Sequence, residues 1–398
     1  MAKALTIADL RDMHRRRAPR MFYDYADSGS YTEGTYRDNE AAFERIKLRQ
    51  RVARNIDNRS LKAPILGQEA TMPVYLAPVG MTGMQYADGE IKAARAAEAF
   101  GVPFTLSTMS VCSIEDVAAH TTKPFWFQLY VMRDRDFVVS LLERAKAAGC
   151  SALVLTLDLQ ILGQRHKDLR NGLSAPPKMT PKVIADLARR PAWCLGMLGT
   201  KRRSFGNIVG HAKGVDDLSS LMSWTSEQFD LGLDWSSVEW IKKHWDGKLI
   251  LKGIGDVDDA RIAVEAGCDA ITVSNHGGRQ LDGAPASVDM LPMVVDAVGG
   301  KVEIHMDGGI RSGQDVLKAM ALGADATSIG RAFVYGLGAM GEAGVTRALE
   351  IIAKEMDITM ALCGETRITE VGHHTLLNPP MAEPAEVRGA EAPPLAAE

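Results

Sequence analysis

Within Ser274-Asn275-His276-Gly277-Gly278-Arg279-Gln280, a histidine and an arginine stand three residues apart on a backbone loosened by two glycines. A histidine can take up a proton near neutral pH. An arginine can hold a carboxylate through two parallel hydrogen bonds. The pair therefore fits a site that grips an acid and removes a proton beside it. Taken alone, such a loop is more often turn chemistry than catalysis. The rest of the chain has to supply the context.

That context is the run Ala270-Ile271-Thr272-Val273, which reads as a buried strand ending at the motif. Similar runs recur at Val74–Ala77, Phe104–Ser107, Phe125–Tyr130, Ala152–Asp158, Leu249–Lys252, Val302–Asp307 and Ala326–Gly330. Helical patterns follow at 90–100, 114–120, 134–148, 236–244, 256–266, 288–298, 313–322 and 341–356. Gly149 and Gly267 are placed to close helices in the left-handed conformation. Eight strands alternating with eight helices predict a (β/α)8 TIM barrel of the α/β class, with a doubly wound open sheet as the alternative. An N-terminal helical segment precedes it, over residues 6–18 with Thr6 as N-cap. Residues 21–29 are rich in aromatics, which fits a packing lid or a tyrosine pointing into a site. A single domain is expected over 1–380, with a long insertion at about 159–234, after the fourth strand, and a disordered Ala/Pro/Glu tail at 381–398.

In a barrel, functional residues gather at the C-terminal ends of the strands. Here those ends carry Pro78-Val79-Gly80, Ser107, Gln128 with Tyr130, Thr156 with Asp158, Lys252, Ser274 through Arg279, Asp307-Gly308-Gly309-Ile310-Arg311 and Gly330-Arg331. The last two groups follow strands seven and eight, where barrels commonly bind phosphate through glycine N–H groups and a helix N-terminus. Arg311 and Arg331 would add charge. There is no GxGxxG after a strand and no Walker A run, which argues against a pyridine dinucleotide. One phosphate in a barrel suits FMN or a sugar phosphate. Lys252 reads as a surface lysine, a cation beside a cofactor that becomes anionic on reduction, or a Schiff-base nucleophile. Asp158 ends a very apolar strand and needs a partner; meeting His276, it would orient the ring and stabilise the imidazolium. A phosphate-binding isomerase or aldolase, and a flavin-binding protein without activity, are readings of other classes.

The chain has 398 residues, 46% hydrophobic and 24% charged, with a net charge of −4. That balance offers nucleic acid no global attraction. Five cysteines without CxxC spacing fit reduced, buried thiols, neither disulfide frame nor metal site. No apolar run approaches the roughly 20 residues of a spanning helix, and the N-terminus lacks a signal peptide's apolar core. A cytoplasmic protein is expected. Residues 178–203 hold seven Lys/Arg against the single acid Asp186, interleaved with Trp193, Leu195, Met197 and Leu198. Such a composition suits contact with the inner face of the cell membrane, or a solvated helix with a core-facing stripe.

Together these blocks resemble the FMN-dependent 2-hydroxy-acid dehydrogenase and oxidase family over about residues 6–370, above all its bacterial respiratory L-lactate dehydrogenases. Ser274 through Gln280 resembles the family's active-site signature. Residues 21–29, 106–112, 126–130, 156–158 and 307–311 resemble its other blocks. The resemblance implies His276 as base with Asp158 supporting it. It implies Arg165 and Arg279 on the substrate carboxylate, helped by Tyr25, and Tyr130 at the substrate hydroxyl. Pro78, Val79, Gly80, Ser107, Gln128 and Thr156 would line the flavin ring, with Ser274 nearby and Lys252 at its N1–O2 edge. Asp307, Gly309, Arg311, Gly330 and Arg331 would hold the ribityl phosphate. The implied reaction oxidises an L-2-hydroxy acid, with L-lactate first, by hydride transfer to flavin N5. Electrons would pass to a separate quinone or cytochrome; an oxidase releasing hydrogen peroxide is the alternative. A homotetramer is also implied. The chain departs from the pattern at Met109, where glycolate oxidase has a Trp, at Gly80, where several members have Ala, and in the turn 159–165.

Overall fold

The computed structural model describes residues 4–173, 179–212, 215 and 228–378. Eight strands form a parallel sheet: β1 (Val74–Leu76), β2 (Thr105–Ser107), β3 (Trp126–Leu129), β4 (Ala152–Thr156), β5 (Lys248–Ile254), β6 (Ala270–Val273), β7 (Glu303–Asp307) and β8 (Ala326–Ile329). Each pairs with its neighbour in sequence, β8 returns to β1, and a parallel bridge from Leu76 to Phe104 joins β1 to β2. The barrel is thus closed, as expected. Strands with helices outside and packed side chains inside are buried on both faces, which is why they read as unbroken apolar runs. All five residues of β4 and all four of β6 are buried.

Inside the barrel, Tyr75, Trp126, Val154, Ile250, Ala270 and Ala326 pack with Ile65, Leu66 and Ala70. The last three belong to a short antiparallel hairpin, Ala63–Ile65 with Gln68–Ala70, which plugs the end opposite the site. The Leu66 N–H donates to Glu303 at the start of β7. No strand is legible here in the sequence, because three-residue strands around Gly67 are too short for a period.

The helix expected over 6–18 spans Ile7–Arg17, with Thr6 and Asp9 making a reciprocal capping box. Gly149 and Gly267 adopt φ of +73° and +74° just past their helices. Outside the insertion, four of the described helices were not anticipated: Arg20–Ala26, Gly34–Arg45, Thr82–Gln85 and Arg331–Met340. The last one corrects the assignment after strand eight. Arg331–Met340 follows β8 directly, and the helix expected at 341–356 is a second one, Glu342–Cys363. In the insertion, the described residues form helices His166–Arg170, Pro181–Ala188 and Pro191–Gly199. Lys178 and the tail 381–398 lie outside the described residues. Among the described residues no helix is long and apolar enough to cross a membrane.

Candidate active site

The strand C-terminal ends open into a cavity of about 560 Å³. It is lined by Pro78, Val79 and Gly80 after β1, Tyr130 after β3, Thr156 on β4 and Lys252 on β5. His276 and Arg279 enter after β6, Asp307 at the end of β7, Gly309 and Arg311 after it, and Gly330 and Arg331 after β8. Tyr25 comes from the helix Arg20–Ala26 and Arg165 from the insertion. Both readings of segment 21–29 apply, since Phe22 and Tyr23 are buried in packing while Tyr25 faces the cavity. Ser107, Gln128, Asp158 and Ser274 stand behind the cavity surface.

His276 has φ +58°, and its Nδ1 lies 2.9 Å from Asp158 Oδ1. Its backbone N–H donates to Ser274 Oγ at 3.0 Å. The Asp158 bond leaves Nε2 as the ring nitrogen available to the cavity. Burial pushes the Asp158 carboxyl up, but the charge and hydrogen bond of His276 and the charge of Lys252 hold it below its ordinary range. It stays a carboxylate beside a ring that can accept a proton. Gly253, at φ +102°, lets the carboxylate approach, since a Cβ there would lie 2.7 Å from Asp158 Cγ.

Two arginines line the same cavity. The Arg279 guanidinium lies 4.8 Å from the Tyr25 ring centroid and donates to Tyr25 O at 2.6 Å. Arg165 lies 5.7 Å from the same ring and donates to Asp168 at 2.7 Å. Burial and the charge of Arg165 pull Arg279 down to about 10. Two half-buried guanidiniums lie against one aromatic ring and only Arg165 is paired with a carboxylate, so the site suits an incoming anion. The Tyr130 phenol is pushed up, mainly by burial and then by Tyr25 and Asp158, so it remains a hydroxyl donor. Asp168, with an Oδ1 that has no partner among the described residues, escaped the sequence reading. Its only signal was a carboxylate three residues after an arginine.

Behind one wall runs a hydrogen-bonded row that reaches the cavity at Thr156. Ser107 Oγ donates to Gln128 Oε1 at 2.9 Å, and Gln128 Nε2 donates to Thr156 Oγ1 at 3.0 Å. Lys252 donates to Ser274 Oγ at 2.9 Å and pairs with Asp307 Oδ2 at 2.6 Å. Asp307 Oδ1 is buried without a partner among the described residues, placed to accept from a ligand hydroxyl. Gly308 and Gly309 have φ of +101° and +82°, and a Cβ on Gly309 would collide with the Asn39 carbonyl. Arg311 is held by Glu40 at 2.9 Å, and its N–H is fixed by Asp315 in the capping box of Ser312. Arg331 donates to the carbonyls of Ala26, Gly277 and Ser28. A guanidinium has five N–H groups, so two remain for a ligand. Glycine backbone, two arginines and an unsatisfied acceptor suit a phosphorylated polyol chain. The hydrogen-bonded wall and Lys252 suit a polar heterocycle. The residues present therefore fit FMN. Apolar residues Met81, Met109, Leu162, Phe205 and Phe229 line the remainder; the last three come from the insertion, where sequence reading found no site residue beyond Arg165.

Fold and site define a flavin-binding (β/α)8 oxidoreductase. The model of the FMN-dependent dehydrogenase family matches residues 14–378, and the chain belongs to that family, with FMN as its cofactor. An L-lactate dehydrogenase of Stenotrophomonas maltophilia (strain R551-3) is 46% identical over 374 residues, covering 94% of this chain and 98% of the relative. One from Pseudomonas aeruginosa (strain LESB58) is 47% identical over 371 residues, covering 93% and 97%. Among solved structures, a monotopic membrane protein, (S)-mandelate dehydrogenase, superposes with a TM-score of 0.90 at 34% identity, covering 94% of this chain and 99% of its own. A mandelate oxidase gives 0.80 at 36%, covering 94% and 98%.

Proposed function

We propose that this protein oxidises an L-2-hydroxy acid, with L-lactate as first candidate, to the 2-oxo acid. The observation that carries the reading is one cavity lined both by His276, backed by Asp158, and by Arg165 and Arg279. The two arginines bind the substrate carboxylate, Tyr25 forming the wall between them. Tyr130 donates to the substrate oxygen and fixes its direction. His276 Nε2 takes the hydroxyl proton as C–O becomes C=O, and Asp158 stabilises the imidazolium that results. Bound FMN supplies the two-electron acceptor for the hydride leaving the α-carbon. Pro78, Val79, Gly80 and Thr156 would wall the ring side with Ser107 and Gln128 behind them, and Ser274 holds Lys252 where its charge would face the flavin. Asp307, Gly309, Arg311, Gly330 and Arg331 hold the ribityl phosphate.

We read the barrel and its insertion as one flavin-binding domain over 1–380, working as a homotetramer and passing electrons to a quinone or cytochrome. Segment 178–203 contacts the inner face of the membrane peripherally. Leu195 and Leu198, 69% and 70% exposed, and Met179 and Ile184 support this, next to Lys182, Arg189 and Lys201. Trp193 does not join them, because it stacks on Phe22 and donates to Met84 O.

The test is anaerobic mixing of the yellow protein with L-lactate, followed at the flavin absorbance, then admission of air. Bleaching with slow return in air is the expected result. Rapid return would make it an oxidase. No bleaching by L-lactate, but bleaching by a bulkier acid such as (S)-mandelate, would move the substrate to the size that the lining by Met109, Phe205 and Phe229 also accommodates.

A further inference from the structure

Asp27 lies behind the cavity and takes no part in the chemistry above, yet it accepts more hydrogen bonds than any carboxylate in the site. Its Oδ1 accepts from the hydroxyls of Tyr335 at 2.6 Å and Tyr36 at 3.0 Å. Its Oδ2 accepts from Tyr23 at 2.7 Å and from Arg11 at 2.9 and 3.2 Å. The side chain is buried, as are all three tyrosines. Burial would push the carboxyl up, but the Tyr335 hydroxyl, the charge of Arg11 and the Tyr23 hydroxyl hold it well below the usual carboxylate range. Burial in turn keeps the Tyr335 phenol protonated, so it remains a donor.

Two of these rings face outward onto cations. The Arg331 guanidinium lies 4.4 Å from the centroid of Tyr36, and that of Arg311 lies 5.8 Å from the centroid of Tyr335. Both distances are within cation–π range. Arg331 also donates to the carbonyls of Ala26 and Ser28, the residues on either side of Asp27. One carboxylate therefore fixes two aromatic plates, and each plate supports one of the two arginines at the end of β7 and β8. Donation to a carboxylate also makes each phenol ring more electron-rich, which strengthens its hold on a guanidinium.

We propose that Asp27 is the positioning residue of the FMN phosphate site, acting on Arg331 and Arg311 through Tyr36 and Tyr335. The proposal rests on the assignment of those arginines to the phosphate. It makes a prediction opposite in sign to simple electrostatics. Removing a negative charge near two arginines should strengthen phosphate binding if only charge counted. Removing the anchor of their supporting rings should weaken it.

The experiment compares FMN with riboflavin, which has the same ring and polyol but no phosphate. The full-length chain, freed of flavin, is titrated with each, followed by flavin fluorescence, for the wild type, Asp27→Asn and the double variant Tyr36→Phe/Tyr335→Phe. The double variant keeps both rings and cuts both links to Asp27, so it carries the test if Asp27→Asn does not fold. The expected result is FMN affinity lowered roughly tenfold or more, the worth of a hydrogen bond to a charged group, with riboflavin affinity unchanged. Equal loss for both flavins would reduce Asp27 to a structural role and overturn the proposal. Tighter FMN binding would do the same in favour of plain charge. A wild-type protein that does not distinguish FMN from riboflavin would overturn the phosphate assignment itself, and the proposal with it.

Discussion

Asp158→Asn isolates the part of the site that makes His276 a base. The wild-type bond is 2.9 Å from Nδ1 to Oδ1, part-buried, with the carboxylate charged. The amide has nearly the same shape, so the substitution removes charge with little change of volume. An asparagine that turns its oxygen to Nδ1 keeps the tautomer but loses the charge. That loss is worth about 1.5–3 kcal/mol for a hydrogen bond to a charged group, or roughly 10- to 150-fold in rate. An asparagine that turns its NH2 to Nδ1 forces the proton onto Nε2, where it blocks proton uptake. The loss then approaches about 10⁴, as for the equivalent change in serine proteases. No ion pair joins Asp158 to Arg165 or Arg279, so substrate affinity should hold. The assay is stopped-flow flavin bleaching by L-lactate in the absence of oxygen, with the saturating rate read separately from the half-saturation concentration. A saturating rate within about threefold of wild type would refute the assignment of Asp158, because even the smallest of these effects is larger. The same variant has a second readout. The Asp158 carboxyl is depressed from its ordinary value of 3.8. Its contribution to stability is therefore present above that pH and is lost as pH falls below it. Asp158→Asn should flatten the acid limb of the stability curve in that window, seen by urea unfolding between neutral pH and pH 3.

Other perturbations probe the remaining parts. Arg279 is half-buried beside Arg165 and pulled down to about 10, so its charge destabilises the free protein until an anion arrives. Arg279→Gln should raise the Tm of the free protein and abolish the stabilisation that oxalate gives the wild type; an oxalate shift that survives would place the carboxylate elsewhere. Lys252→Met removes the cation beside the ring and should lower the two-electron flavin potential by about 30–60 mV, or roughly 1.4–2.8 kcal/mol. An unchanged potential in a dye-linked titration would assign Lys252 to Asp307 alone. Leu195→Asp/Leu198→Asp should release the protein from vesicles containing anionic lipid while leaving bleaching by substrate intact, and continued co-sedimentation would exclude this segment as the contact.

How much of this could be read from the chain depends on where each signal lies. The barrel strands were legible because burial on both faces makes them continuous apolar runs, and polar residues ending such runs stand out. His276, Arg279, Asp158, Lys252 and the Asp307–Arg311 turn all belong to that class. Helix Arg331–Met340 does not. Its sequence, with Gly336 and Gly338 in the interior, argues against a helix, since each glycine there costs about 1 kcal/mol against alanine. The structure gives the reason for both glycines. A Cβ on Gly336 would strike the Gly344 carbonyl of the following helix, and one on Gly338 would strike the buried His14 ring of the first. The helix is packed so closely between its neighbours that only glycine fits, and the tertiary contact overrides propensity. That close packing is also what sets the depth of Tyr335, one turn beyond Arg331, against Asp27. The residues that hid the helix in the sequence thus belong to the same device that supports the two arginines. A local reading could not reach it, because Asp27, Tyr36 and Tyr335 carry no spacing in common and meet only through the fold. Lengthening either glycine side chain should therefore act at a distance. Gly338→Ala should push the helix off His14 and loosen FMN before riboflavin, by the same comparison that tests Asp27.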